Sequence, residues 1–188
     1  MKKVYLAIIF ALNMVILIPT GYASDNVQPL LPATKAIPDL TSTLNKLKKA
    51  TTLPVIFPQR VPQDHDLSRY YSHYVIDEPG QTTHYTLSID ATSDCQGIRA
   101  CNLGYLSARA DANPEIYYDM NNQAITIPVQ LAKQLQGYFT PGHAIGSFFP
   151  AKLEWREGTI LYTLTWTMAP AAEQATLIAM ANSAIESN

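Results

Sequence analysis

The chain has 188 residues, 13 Lys+Arg against 15 Asp+Glu, a formal net charge of −2 and 47% hydrophobic side chains. That balance is globular and slightly acidic. It excludes nucleic-acid binding built on phosphate neutralisation, because the densest basic cluster is Lys46, Lys48 and Lys49, which reads as the solvated face of a helix.

The chain starts with Met1-Lys2-Lys3. An apolar run follows from Val4 to Ile18, interrupted by Asn13, and the small residues Gly21 and Ala23 stand two apart. This order predicts a signal peptide over residues 1–23, cleaved after Ala23. An uncleaved anchor would need roughly 20 apolar residues, and this run has about 15. No Cys follows the expected site, which argues against a lipid anchor. No later segment is long and apolar enough to span a membrane. The expected mature chain keeps 11 basic and 15 acidic side chains, a net charge of −4. It is long enough for one domain with a real core. The expected location is the periplasm or the medium.

Residues 24–36 are Pro-rich and polar and read as a flexible leader, so the folded domain is expected over 37–188. Pro38 suits a first helical turn, and Leu40, Leu44 and Leu47 recur at helical spacing. Lys46, Lys48 and Lys49 near the end of that helix complement its dipole. Pro54, Pro58 and Pro62 limit residues 51–62 to a short edge strand at most. From there the pattern is β. Residues 69–77 are rich in aromatic and β-branched side chains, and 78–81 (EPGQ) form a turn. Over 82–92, Tyr85, Leu87, Ile89 and Ala91 alternate with His84, Thr86, Ser88 and Asp90. Another strand is expected at about 102–110.

The two cysteines of the chain, Cys95 and Cys101, lie between those strands. In an oxidising compartment thiols pair. The C-x5-C spacing differs from the C-x-x-C of redox and zinc motifs. A structural disulfide holding the end of the hairpin is expected. Residues 123–131 alternate again through Ile125, Ile127, Val129 and Leu131, with Pro128 marking an edge or a bulge. Gly137-Tyr138-Phe139 suggests a further short strand, and 140–151 reads as a loop. The clearest hairpin follows. Leu153 and Trp155 lead into a tight turn at Glu157-Gly158, and Ile160, Tyr162, Leu164 and Trp166 share one face of the return strand. A last helix is expected over about 171–186, with Leu177, Ile178, Ala181 and Ile185 as its apolar stripe. A block of strands between two helices predicts an α+β fold, with a curved antiparallel sheet of about six to eight strands.

Two stretches together carry a resemblance. One is Asp94-Cys95-Gln96-Gly97 with Cys101-Asn102-Leu103-Gly104. The other is Gly137-Tyr138-Phe139-Thr140-Pro141-Gly142, then Leu153-Glu154-Trp155, Gly158, Tyr162, Leu164 and Met180-Ala181-Asn182-Ser183-Ala184-Ile185. Over about residues 54–186 they resemble small exported bacterial proteins of unknown function, which pair a short Cys loop with a closing Trp/Gly/Tyr hairpin and a C-terminal helix. The resemblance implies the fold class and an envelope or extracellular setting. It implies no catalytic residue. Some members of that group carry further cysteines near the Gly-Tyr-Phe loop, where this chain has Gly142-His143-Ala144.

For chemistry, His73 and His84 flank the 78–81 turn and are expected on one sheet face, opposite or diagonal to each other. Two imidazoles can begin a metal site, but zinc takes three or four ligands, and only Asp64, His65 and Asp66 lie near in sequence. No metal or cofactor is therefore expected. No G-x-S-x-G, H-E-x-x-H or S-x-x-K motif is present. A carboxylate pair for glycoside hydrolysis would have to come from Asp64, Asp66, Asp77, Glu78, Asp90 or Glu154, and nothing selects two of them. Tyrosines crowd the first β half: Tyr70, Tyr71, Tyr74, Tyr85, Tyr105, Tyr117 and Tyr118. Such residues serve recognition surfaces, and equally fill the core of a small sheet protein. The expectation is an exported non-enzymatic module that binds a protein, peptide or envelope component. Tyr71, His73, Tyr74 and His84 are its candidate binding residues. The alternative is a secreted hydrolase or metal-dependent enzyme without a recognisable motif.

Overall fold

Alternation of apolar and polar side chains decides which way each strand faces. The computed structural model describes residues 40–59, 61–62, 70–77, 83–95, 98, 100–145, 147–167 and 173–187. The expected signal peptide, leader and 78–81 turn lie outside the described residues. The elements in chain order are α1 (Leu40–Ala50), β1 (Tyr71–Ile76), β2 (His84–Asp90), β3 (Asn102–Ala110), β4 (Ile127–Gln130), β5 (Gln136–Thr140), β6 (His143–Ile145), β7 (Ser147–Phe149), β8 (Lys152–Glu157), β9 (Ile160–Trp166) and α2 (Glu173–Glu186). Seven strands form one open antiparallel sheet in the order β1-β2-β3-β9-β8-β5-β4, and β6 and β7 form a separate hairpin. This is the expected α+β class, with one helix at each end of the β block.

One face of the sheet carries the core. Tyr85, Leu87 and Ile89 from β2, Leu106 and Ala108 from β3, Leu153 and Trp155 from β8, and Tyr162 and Leu164 from β9 are almost fully buried there. These are the positions that the period-two pattern assigns to one face. The α1 helix covers the β1 end, with Leu47 buried and the Thr43 and Ser72 hydroxyls 2.9 Å apart. The α2 helix covers β8 and β9 with Leu177, Met180, Ala181, Ala184 and Ile185. Asn182 of α2 accepts a 2.7 Å hydrogen bond from the Ala132 backbone N–H, which ties the helix to the β4–β5 connection.

The proline-rich segment follows α1 in the chain. Its described residues form no strand, because prolines cannot donate to a ladder. Ile56, Phe57 and Val61 are buried in the core, and tyrosine hydroxyls hold the backbone instead. Tyr85 donates to the Pro54 carbonyl at 3.0 Å and accepts from the Ile56 N–H at 3.4 Å. Tyr162 donates to the same Pro54 carbonyl at 3.4 Å, and Tyr70 to that of Pro62 at 3.0 Å.

Three local expectations are corrected. The 140–151 segment contains the β6–β7 hairpin, whose strands are three residues long and too short to show a period-two pattern. The 123–131 run shortens to β4, an edge strand with Pro128 exposed. The tight turn between β8 and β9 consists of Gly158-Thr159, because Glu157 pairs with Ile160. Gly158 has φ +62°, which favours glycine. The larger difference is topological. Hairpin links alone would set each strand beside its successor, yet β3 pairs with β9 across the centre of the sheet.

Candidate functional site

The strand positions that do not face the core form the opposite surface. From β2 come His84, Thr86, Ser88 and Asp90; from β3, Tyr105, Ser107 and Arg109; from β9, Leu161, Thr163 and Thr165; from β8, Lys152, Glu154 and Arg156. The segment 112–117 and the Phe149-Pro150 pair rise beside this surface and enclose a cleft of about 460 Å³. Its floor is rich in hydroxyls: Thr86, Ser107, Thr140, Thr163 and Thr165 all line it, together with Tyr105 and Tyr117.

One wall of the cleft is an ion cluster. The Glu154 side chain is nearly buried, and its carboxylate accepts from the Glu115 backbone N–H at 3.1 Å, the Thr163 hydroxyl at 3.2 Å and the Lys152 ammonium at 3.1 Å. Lys152 Nζ also lies 3.5 Å from Glu115 Oε2 and 4.3 Å from the centre of the Tyr117 ring, a cation–π distance. Tyr117 donates its hydroxyl to the Glu115 carboxylate. The Tyr117 N–H donates to Thr126 Oγ1 at 3.0 Å, and Arg156 donates to Asn113 Oδ1 at 2.8 Å. These bonds fix the 112–117 segment against β8.

The electrostatics follow from the contacts. Burial works to lower the Lys152 pKa, but the Glu154 charge and hydrogen bond and the Tyr117 contact outweigh it and raise it overall. The Tyr117 hydrogen bond, then the Lys152 charge, hold the Glu115 carboxyl below the ordinary range. The same hydrogen bond to Glu115 raises the Tyr117 phenol, with burial adding to it. At neutral pH, Lys152 is an ammonium, Glu115 a carboxylate and Tyr117 a phenol. None of the three is in the form that makes a nucleophilic amine, a protonated acid or a phenolate.

The four sequence-predicted binding residues do not come together. His73 and His84 do share one face, as expected. They are neither opposite nor diagonal, however, because His73 pairs with Ser88, four residues along β2 from His84. Tyr71 lies on that face too, whereas Tyr74 pairs with Leu87, faces the other way and packs against the core. His84 lines the cleft. His73 lies outside it, with Nδ1 2.6 Å from Oδ2 of the buried Asp90. The Asn102 amide donates to the other Asp90 oxygen at 2.9 Å. Ser88 stands across from His73, but among the described residues it makes no hydrogen bond to that ring.

Of the candidate carboxylates, Asp64, Asp66 and Glu78 lie outside the described residues, as does His65. Asp77 accepts from the Thr83 N–H and hydroxyl, at 3.1 and 2.6 Å. The tyrosine cluster divides: Tyr70 and Tyr85 are core, Tyr105 and Tyr117 line the cleft, and Tyr118 is exposed. Cys95 and Cys101 are bridged. Among the described residues no group of three or more His, Cys, Asp and Glu is placed to hold a metal ion, and no helix is long and apolar enough to cross a membrane.

No protein-family model matches this chain, and neither curated proteins nor solved structures yield a match. Sequence reasoning missed Arg109, Glu115 and Lys152 as cleft residues. For Arg109 and Lys152 the available signal was polar side chains at alternate positions of β3 and β8, between core residues; Glu115 lies outside any strand and carried no such signal. Which strand would bring them together depended on the pairing of β3 with β9.

Proposed function

We propose that this chain is an exported, non-enzymatic module that binds a protein, peptide or envelope component in the cleft of the sheet. The observation that carries the reading is the state of the ionisable groups there. Lys152, Glu115, Glu154 and Tyr117 bind one another, and a floor of hydroxyls with two tyrosines surrounds them. Such a surface presents fixed donors and acceptors to a polar ligand and commits its charged groups to structure. The disulfide and the Met1–Ala23 pattern support the exported part of the proposal.

A photo-reactive phenylalanine in place of Phe149, exposed at the rim of the cleft, tests it and leaves the floor open. The same probe at Gln174, exposed on α2, is the control. Covalent adducts with an envelope or secreted component are expected from position 149 and not from 174. Equal yields from both positions, or none from 149, would sink the proposal.

The second reading, a secreted hydrolase, draws on the Asp90–His73 pair. There a buried carboxylate orients an imidazole, as in catalytic triads. Turnover of generic ester, peptide or glycan substrates that is lost in His73→Ala would favour it over the binding module.

A further inference from the structure

The charges of the cleft are unevenly matched. The Lys152 ammonium is shared by two carboxylates, Glu154 and Glu115. At the other end, Arg109 lines the cleft, is exposed, and forms no ion pair among the described residues. His84 lies directly opposite Arg109 in the β2–β3 ladder, and the adjoining cleft pair is Thr86 with Ser107. Two neighbouring rungs therefore bring four side chains able to donate hydrogen bonds to one end of the cleft. Two carboxylates lie near this end. Asp77 follows β1 directly, donates its N–H to the His84 carbonyl at 3.3 Å, and is engaged by the Thr83 N–H and hydroxyl. Glu115 is engaged by Tyr117 and Lys152.

We infer that the Arg109–His84 end of the cleft is a subsite for a carboxylate carried on a peptide segment. The inference rests on the cleft being the binding surface. A planar guanidinium matches a carboxylate through two parallel hydrogen bonds. The hydroxyls of Thr86 and Ser107 can serve the oxygen atoms left over or the amides that flank them. The Asp77 and Glu115 carboxylates act on His84 and Arg109 and offset part of their positive charge, even with the imidazole protonated, which suits a monoanion better than a doubly charged phosphate. Burial, then the Arg109 charge, lower the proton affinity of His84, while Asp77 works against them. An incoming carboxylate offsets the Arg109 charge, so the imidazole takes up a proton from water as the ligand binds. Affinity then tightens as pH falls through the His84 range.

The test is an NMR titration of the full chain, with its disulfide formed, observing the His84 ring. The probes are the capped peptide acetyl-Gly-Glu-Gly-amide, its Gln twin and inorganic phosphate. The Glu peptide is expected to bind at least tenfold more tightly than the Gln twin and than phosphate, and to raise the His84 pKa at saturation. In Arg109→Gln the preference for Glu over Gln should vanish, a loss of roughly 10- to 100-fold for a charge-assisted pair. Equal binding of the two peptides to the wild-type chain would overturn the carboxylate subsite, and so would tighter binding of phosphate. Ser107→Trp and Thr86→Trp, each confirmed as folded by its unfolding midpoint, block the cleft floor. If both block peptide binding while Arg109→Gln changes nothing, the cleft reading stands and the subsite falls. If neither blocks it, the cleft reading falls as well.

Discussion

Tyr85 shows how one side chain organises what its neighbours cannot. Prolines 54 and 58 deprive their segment of backbone donors, so it cannot join the sheet, yet Ile56 and Phe57 must be buried. The Tyr85 hydroxyl resolves the conflict by donating to the Pro54 carbonyl while accepting from the Ile56 N–H. Burial, then the neighbouring Tyr162, push its phenol well above the ordinary range, and burial pushes Tyr162 up to about 12. Both therefore remain donors at any physiological pH. Tyr85→Phe keeps the ring but strands the buried Ile56 N–H and weakens the hold on Pro54. A loss of about 1–3 kcal/mol is expected in urea unfolding. The sequence marked Tyr85 as core-facing by alternation. It did not reveal the hydroxyl contact, because the partner lies 31 residues away in a segment without periodicity.

At the scale of elements, β3 and β9 decide the architecture. Their pairing sets Gly104 opposite Trp166, and the indole packs against the glycine backbone. A Cβ built on Gly104 would meet the Thr165 carbonyl oxygen and would lie 2.7 Å from Trp166 Cε3. The first obstacle is backbone of the paired strand and cannot swing aside. Gly104→Ala is expected to cost about 1–3 kcal/mol, the usual penalty for overpacking, seen as a lower thermal midpoint. A wild-type midpoint for this variant would mean that the ladder is looser than the register implies. The strands themselves were legible: β2, β3, β8 and β9 lie where the sequence placed them, and the apolar sets that alternation marked in β2, β8 and β9 turn inward. The β6–β7 hairpin was not, because three residues cannot display a period.

For the molecule as a whole, the two faces divide the work. One is closed by the helices and the proline segment, and the other presents the cleft. His84 couples the cleft face to pH. Its folded pKa lies below the ordinary 6.5, through burial first and Arg109 second, with Asp77 opposing. Below about pH 6.5 the unfolded chain therefore takes up a proton that the folded chain resists. The His84 contribution is neutral above that pH, and it destabilises increasingly as pH falls from 6.5 through the folded pKa. His84→Gln should flatten this part of the stability–pH curve, measured by urea unfolding between pH 7.5 and 5. An unchanged curve would show that the imidazole titrates freely in the native state.

The sequence by itself determined the α+β class, the inward faces of the main strands and the disulfide, since alternation and a lone pair of cysteines are local signals. The tertiary structure alone decided that β9 inserts between β3 and β8, and hence that Arg109, Glu115, Lys152 and Glu154 surround one cleft with His84. The physical reason is that period two states which face a side chain occupies but not which strand will be its neighbour. That choice is made by burial summed over contacts between residues far apart in the chain, here Leu106 with Leu164 and Ala108 with Tyr162.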